Sequence, residues 1–255
     1  MHFKKDKKPL ELMHSDVCGP MLTQSLGGTS YFVTFIDNAT SKVWAYAMKS
    51  KDKTFSCFKK FVSIVETQSG KKLKALHLEN GSEYIAKELK DFCATRGIKH
   101  EFTAPYTPTQ NGVAKRMNRT IQERILSMLS QAGLSQGFWA EALYTTVYLI
   151  NRSPNASLQF KIPEELWSGH SLSYDKLRTF GCEAYVHVPR ELRANLDPKS
   201  RKCIFVGYGL DGQFGYRLWD PESRSILCSN DVVFNETKMH RKPVKEVEYH
   251  KVTFL

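Results

Sequence analysis

Apolar and polar residues alternate roughly from Leu10 to Val17, and the run stops at Gly19-Pro20, which predicts a strand. Tyr31–Ile36 and Val43–Met48 are aromatic and β-branched, with the turn-forming Asp37-Asn38-Ala39-Thr40 between them. The three runs predict an antiparallel meander. Between Lys51 and Thr67, Phe55, Phe58, Phe61, Val62 and Val65 recur at the spacing of an amphipathic helix. Lys74–Leu78 predicts a short strand, Glu83–Arg96 a helix stopped by Gly97, and Ile98–Phe102 another strand. A long helix follows from Thr107-Pro108, a capping hydroxyl ahead of a proline at the first helical position. Val113, Met117, Ile121, Ile125 and Met128 form its apolar stripe, and Lys115, Asn118, Arg119 and Gln122 fall on the opposite face. A further helix is predicted from about Gly137 to Asn151, ending before Pro154.

The texture changes from Arg178. Ala184–Val188, Lys202–Tyr208, Gly215–Asp220 and Ser225–Phe234 are short β-rich runs, separated by turn signals at Asp197-Pro198, Asp211-Gly212 and Asp220-Pro221. Pattern alone therefore predicts an α/β domain with a mixed sheet, then a small all-β module.

Charge adds a partner class. The 255 residues carry 37 Lys+Arg against 26 Asp+Glu, a formal net charge of +11. Such an excess favours polyanions, because Lys and Arg displace counterions condensed on phosphate backbones; a merely basic solvated surface is the alternative. Six cysteines, Cys18, Cys57, Cys93, Cys182, Cys203 and Cys228, include no pair at zinc-knuckle or redox-motif spacing. They suit reduced, buried thiols of an intracellular protein, in nucleus or cytoplasm and not secreted. The opening Met1-His2-Phe3-Lys4-Lys5 has no apolar leader core, and no stretch is long enough to span a membrane.

Four ordered segments are specific enough to name a family. They are His14-Ser15-Asp16-Val17-Cys18-Gly19-Pro20, Tyr31-Phe32-Val33-Thr34-Phe35-Ile36-Asp37, Leu76-His77-Leu78-Glu79-Asn80-Gly81-Ser82-Glu83-Tyr84, and the run Tyr106–Thr120 with its core Thr109-Gln110-Asn111-Gly112-Val113-Ala114-Lys115-Arg116-Met117-Asn118-Arg119. Together they resemble the integrase region of copia-type retrotransposon Pol polyproteins. Phe180–Val186, Lys202–Tyr208, Gly215–Pro221 and Asp231–Phe234 resemble the Src-homology-3-like module of the same polyproteins.

The resemblance implies a ribonuclease-H-like, mixed five-stranded sheet flanked by helices over residues 9–170, and an Src-homology-3-like module over 171–238. Residues 1–8 read as a remnant of the linker that follows the family's zinc-binding domain, and 239–255 as a tail. The implied chemistry is polynucleotidyl transfer with Mg²⁺ or Mn²⁺ held by an Asp, Asp, Glu triad. Hard cations require such oxygen ligands, and two of them activate the attacking oxygen and stabilise the leaving one.

The triad maps here to Asp16, Glu79 and Lys115, the last two with the family's spacing. Only the first keeps its chemistry. Glu79 adds a methylene to a ligand whose reach matters. Lys115 removes an oxygen ligand and reverses the charge: at about 4 Å and an effective dielectric of about 20, an ammonium and a dication repel by roughly 8 kcal/mol before the side chain swings aside. Metal retention at Asp16 and Glu79 is thus expected to be weak or lost. The ammonium of Lys115 either sits beside the two carboxylates in the metal's stead or projects to solvent.

Asn111, Lys115, Arg116, Asn118 and Arg119 are the residues that the resemblance brings to DNA, by sequence-tolerant phosphate contacts that need charge rather than exact metal geometry. Glu83 corresponds to a family glutamate outside the triad. His14 and His77 flank the acidic positions, where a zinc or general-base role stands beside a structural one. Self-association is implied by the family; a membrane is not. The expected function is nucleic-acid binding by an integrase core, ancestrally active in strand transfer and catalytically impaired in this copy. The alternatives are a still-active recombinase, and a protein-binding module or pseudogene product without DNA activity.

Overall fold

A computed structural model of the chain describes residues 8–78, 87–102, 112–194, 196–210 and 215–240. Two compact units are present: Met1–Leu126 with Gln136–Leu177, and Ser127–Ser135 with Arg178–Leu255.

The first unit is built on a five-stranded sheet of β1 (Met13–Cys18), β2 (Tyr31–Asp37), β3 (Val43–Met48), β4 (Ala75–Leu78) and β5 (Lys99–Phe102), in the order β3-β2-β1-β4-β5. The β1–β2–β3 meander is antiparallel, whereas β4 joins β1 and β5 joins β4 in parallel. This is the ribonuclease-H-like mixed sheet that the resemblance implied. The helices are α1 (Thr54–Ser69), α2 (Lys87–Arg96), α3 (Gly112–Ala132), α4 (Trp139–Asn151) and the short α5 (Pro163–Ser168). The sequence reading omitted α5, although Pro163 at its first turn and Gly169 just past its end, in the left-handed region, are both boundary signals. The expected starts of α2 at Glu83 and of α3 at Thr107-Pro108 lie outside the described residues.

Strand alternation sends successive side chains to opposite faces. Met13, Val33, Phe35, Leu76 and Leu78 meet Phe58, Phe61, Val62 and Val65 of α1 in one buried cluster. Phe35 and Phe61 stack there with centroids 4.4 Å apart. His14, Asp16, Phe32 and Thr34 occupy the other face, where Thr34 bonds to α3 and the Phe32 ring lies 6.3 Å from Trp139 of α4.

The outer edge of β3 needs hydrogen-bond partners, and side chains of α4 supply them. Asn151 accepts from the Val43 N–H and donates to the Val43 carbonyl, both at 2.8 Å, and the Ala47 N–H donates to Tyr144 Oη at 3.2 Å. An edge that would otherwise template strand addition is thereby closed.

The second unit is an antiparallel sheet of β6 (Cys182–His187), β7 (Ser200–Tyr208), β8 (Tyr216–Asp220), β9 (Ser225–Ser229) and β10 (Val232–Met239), ordered β10-β6-β7-β8-β9. The expected single run Ser225–Phe234 is two strands, because Asn230 and Asp231 interrupt it. Phe205 centres the core, its ring 5.3, 5.8 and 5.6 Å from those of Tyr208, Tyr216 and Phe234. Gly181, at φ +84, admits Ala132 against its backbone, a contact no Cβ would allow. The expected Asp211-Gly212 turn and most of the tail lie outside the described residues.

Candidate functional site

Asp16 lies on β1 directly opposite Thr34 of β2. Asn118 of α3 reaches both residues. Its Nδ2 donates to Asp16 Oδ2 at 3.1 Å, and its Oδ1 accepts from Thr34 Oγ1 at 2.8 Å. The threonine hydroxyl also approaches the Asp16 carbonyl at 3.4 Å. An amide fits between them because it offers a donor to the carboxylate and an acceptor to the hydroxyl.

The expectation that Asn118 falls on the face of α3 opposite its buried stripe is corrected here. Asn118 is only 4% exposed. The buried stripe of α3 comprises Ala114, Asn118, Ile121, Ile125, Leu129 and Ala132, while Val113, Met117 and Met128 are half-buried. The stripe keeps its helical period but is rotated from the expected one over the first turns. A polar and a small residue occupy it there, so apolar periodicity could not register them. Thr34 was not singled out as a site residue; the signal available was strand alternation, which sets it on the same face as Phe32 and Ile36.

Lys115 stands one helical turn before Asn118 and is exposed, as are Arg116 and Arg119. Arg119 Nε pairs with Glu123 Oε1 at 2.9 Å. Three cations therefore mark the surface of the first turns of α3. Glu79 follows the last residue of β4, and it and Asn111 lie outside the described residues, as does Glu83.

His14 and His77 are cross-strand neighbours on β1 and β4, with rings 5.4 Å apart and tilted by 51°. His14 Nε2 is 3.1 Å from Asn38 Oδ1. No group of three or more His, Cys, Asp or Glu side chains suited to a metal ion occurs among the described residues. Two residues beyond Asp16, burial first and the Asp16 charge second push the Cys18 thiol up to about 11. Cys93, Cys182 and Cys203 are buried as expected, but Cys18 and Cys57 are half-buried and Cys228 is exposed. No helix among the described residues is long and apolar enough to cross a membrane.

Comparison with known proteins agrees with this architecture. Residues 6–108 match the integrase core domain family, residues 96–137 match a second integrase core domain family, and residues 182–248 match the retroviral polymerase SH3-like domain family. Over 230 residues, 90% of the chain, the sequence is 53% identical to the retrovirus-related Pol polyprotein from transposon TNT 1-94 of Nicotiana tabacum, covering 17% of that protein. It is 36% identical over 230 residues, again 90% of the chain, to the retrovirus-related Pol polyprotein from transposon RE2 of Arabidopsis thaliana, covering 16% of it. The chain thus spans about a sixth of the length of these relatives. A simian T-cell lymphotropic virus intasome, solved in complex with PP2A regulatory subunit B56 gamma, matches with a TM-score of 0.54 at 15% identity, covering 91% of this chain and 81% of that one. At such identity the likeness speaks for the fold alone. The chain carries an integrase core domain followed by a retroviral polymerase SH3-like domain, and its close homologues are retrotransposon Pol polyproteins.

Proposed function

We propose that this chain is a copia-type integrase core that binds DNA without strong sequence preference through the first turns of α3, and that it has lost metal-dependent strand transfer. The observation that carries the reading is Lys115, a cation one turn before the Asn118 that holds Asp16. The resemblance expects the third carboxylate of a metal site at that position. Divalent Mg²⁺ or Mn²⁺ would supply the activated nucleophile and stabilise the leaving oxygen of a phosphodiester.

The described donors do not fit such an ion. Asp16 offers one carboxylate, with an oxygen already accepting from Asn118, and Lys115 offers no lone pair when charged. No catalytic step is therefore assigned to these residues. The same substitution favours phosphate: Lys115, Arg116 and Arg119 are exposed on one helix of a chain with net charge +11.

Metal titration of the purified chain, followed by strand transfer on labelled DNA ends, tests the reading. The parent is expected to gain no thermal stability from Mg²⁺ or Mn²⁺ and to yield no product. The paired variant Lys115→Glu with Glu79→Asp is expected to regain metal-dependent stabilisation. Strand-transfer product from the parent would overturn the loss of catalysis. Absence of DNA binding even at low ionic strength would favour a protein-binding module instead.

A further inference from the structure

At the start of β3, Lys42 is a lysine in an unusual position: it is only 9% exposed. Its ammonium lies 2.8 Å from Glu164 Oε1 of α5 and 5.2 and 5.3 Å from the ring centroids of Trp44 and Trp167. The two indoles meet edge to face at 4.8 Å. Burial pushes the Lys42 pKa below the ordinary lysine value, partly offset by the charge of Glu164. An ammonium has three donors, and one of them serves Glu164.

This cluster forms part of the wall of a cleft of about 410 Å³. Lys42, Glu164 and Trp167 share the lining with Lys71, Gln68 and Ser168. The volume falls in the range of roughly 300–1,000 Å³ typical of ligand clefts. Neither Asp16, Asn118 nor Lys115 lines it. Trp44 and Trp167 already pack α5 against β3, and a buried charge pair is a costly addition to that packing.

We infer that this cleft binds an acidic peptide segment of a partner protein, an Asp or Glu carboxylate being taken up between Lys42 and Lys71 in the cleft that Trp167 helps to line. Two lysines against one glutamate give the lining a positive balance. Gln68 offers a neutral amide to a peptide backbone. Glu164 disfavours a continuous polyphosphate, which presents negative charge at every step, but it can share Lys42 with a single carboxylate. The inference does not depend on DNA binding at α3.

The test is a titration of the ¹⁵N-labelled full chain with a terminally blocked tetraglutamate peptide at low ionic strength, read at the tryptophan indole cross-peaks. The expected result is saturable shifts confined to Trp44 and Trp167, while Trp139 and Trp219 stay still. Lys71→Glu, on the surface and neutral to folding, is expected to bind about tenfold more weakly, by turning one attractive charge contact into a repulsive one. Lys59→Glu, exposed on α1 outside the cleft, is expected to bind as the parent does. Absence of saturable shifts, equal weakening by Lys59→Glu, or displacement of the peptide by a short DNA duplex would each overturn the proposal, the last by revealing a general polyanion surface.

Discussion

Asn118 holds the Asp16 carboxylate at 3.1 Å from inside the helix interface, one turn after the exposed Lys115. The amide ties the helix to two adjacent strands at once, through Asp16 on β1 and Thr34 on β2. Position and charge at the candidate site are thus divided between a buried neutral residue and an exposed cation.

Replacing Asn118 by alanine leaves the Thr34 hydroxyl and one Asp16 oxygen without this partner. A buried polar group deprived of its bond costs about 1–3 kcal/mol. The Asn118→Ala chain is expected to unfold at correspondingly lower urea concentration, with an unchanged denaturant slope. An unchanged midpoint would show that the network contributes nothing to stability.

On the proposed DNA reading, the exposed arginines and the buried asparagine separate cleanly. Arg116→Ala and Arg119→Ala should each reduce the slope of log affinity against log salt by about 1, the signature of one lost phosphate contact. Asn118→Ala should leave that slope unaltered. Fluorescence anisotropy on a labelled duplex across a salt series makes the comparison, and equal effects from all three variants would count against it.

Edge protection by α4 predicts a larger stability effect. Asn151 serves both backbone groups of Val43 and is buried. Asn151→Ala should cost about 2–4 kcal/mol for two buried hydrogen-bonding groups. It should also promote aggregation, since it opens a strand edge. Chemical denaturation and light scattering at matched concentration measure the two consequences.

Thiol chemistry should follow burial. Burial pushes Cys203 up to about 11 and, with Glu236 adding to it, Cys182 up to about 12, whereas Cys228 is exposed. With a disulfide reagent at pH 8, Cys228 is expected to react first in the folded chain, and Cys182 and Cys203 only on unfolding. The pH dependence of stability has a definite sign. These thiols keep their protons in the folded state above pH 9, where the unfolded chain releases them, so stability should fall as pH rises from about 9 towards 11. Cys203→Ala should make that decline shallower in a series of urea titrations.

Much of the fold was legible because its cause is local. The meander, α1 and the β-rich end follow from alternation, helical spacing and turn residues, and each appears near its expected bounds except that the run Ser225–Phe234 divides into two strands. The short α5 escaped although Pro163 and Gly169 bracket it, since six residues give too little periodicity to read. Asn118 was assigned to the wrong face of α3 for a different reason: a hydropathy pattern registers apolar stripes, and this residue is buried where it bonds to two strands of the sheet.

By itself the sequence determined the succession of elements, the net charge and the presence of lysine at position 115, all of which are properties of the chain read in order. Tertiary structure decided which distant residues meet: Asn118 with Asp16 across 102 positions, Asn151 with Val43 across 108, and Lys42 with Glu164 across 122. Those pairings depend on how the helices pack on the sheet, and a hydrogen bond between residues so far apart leaves no periodic trace in either segment.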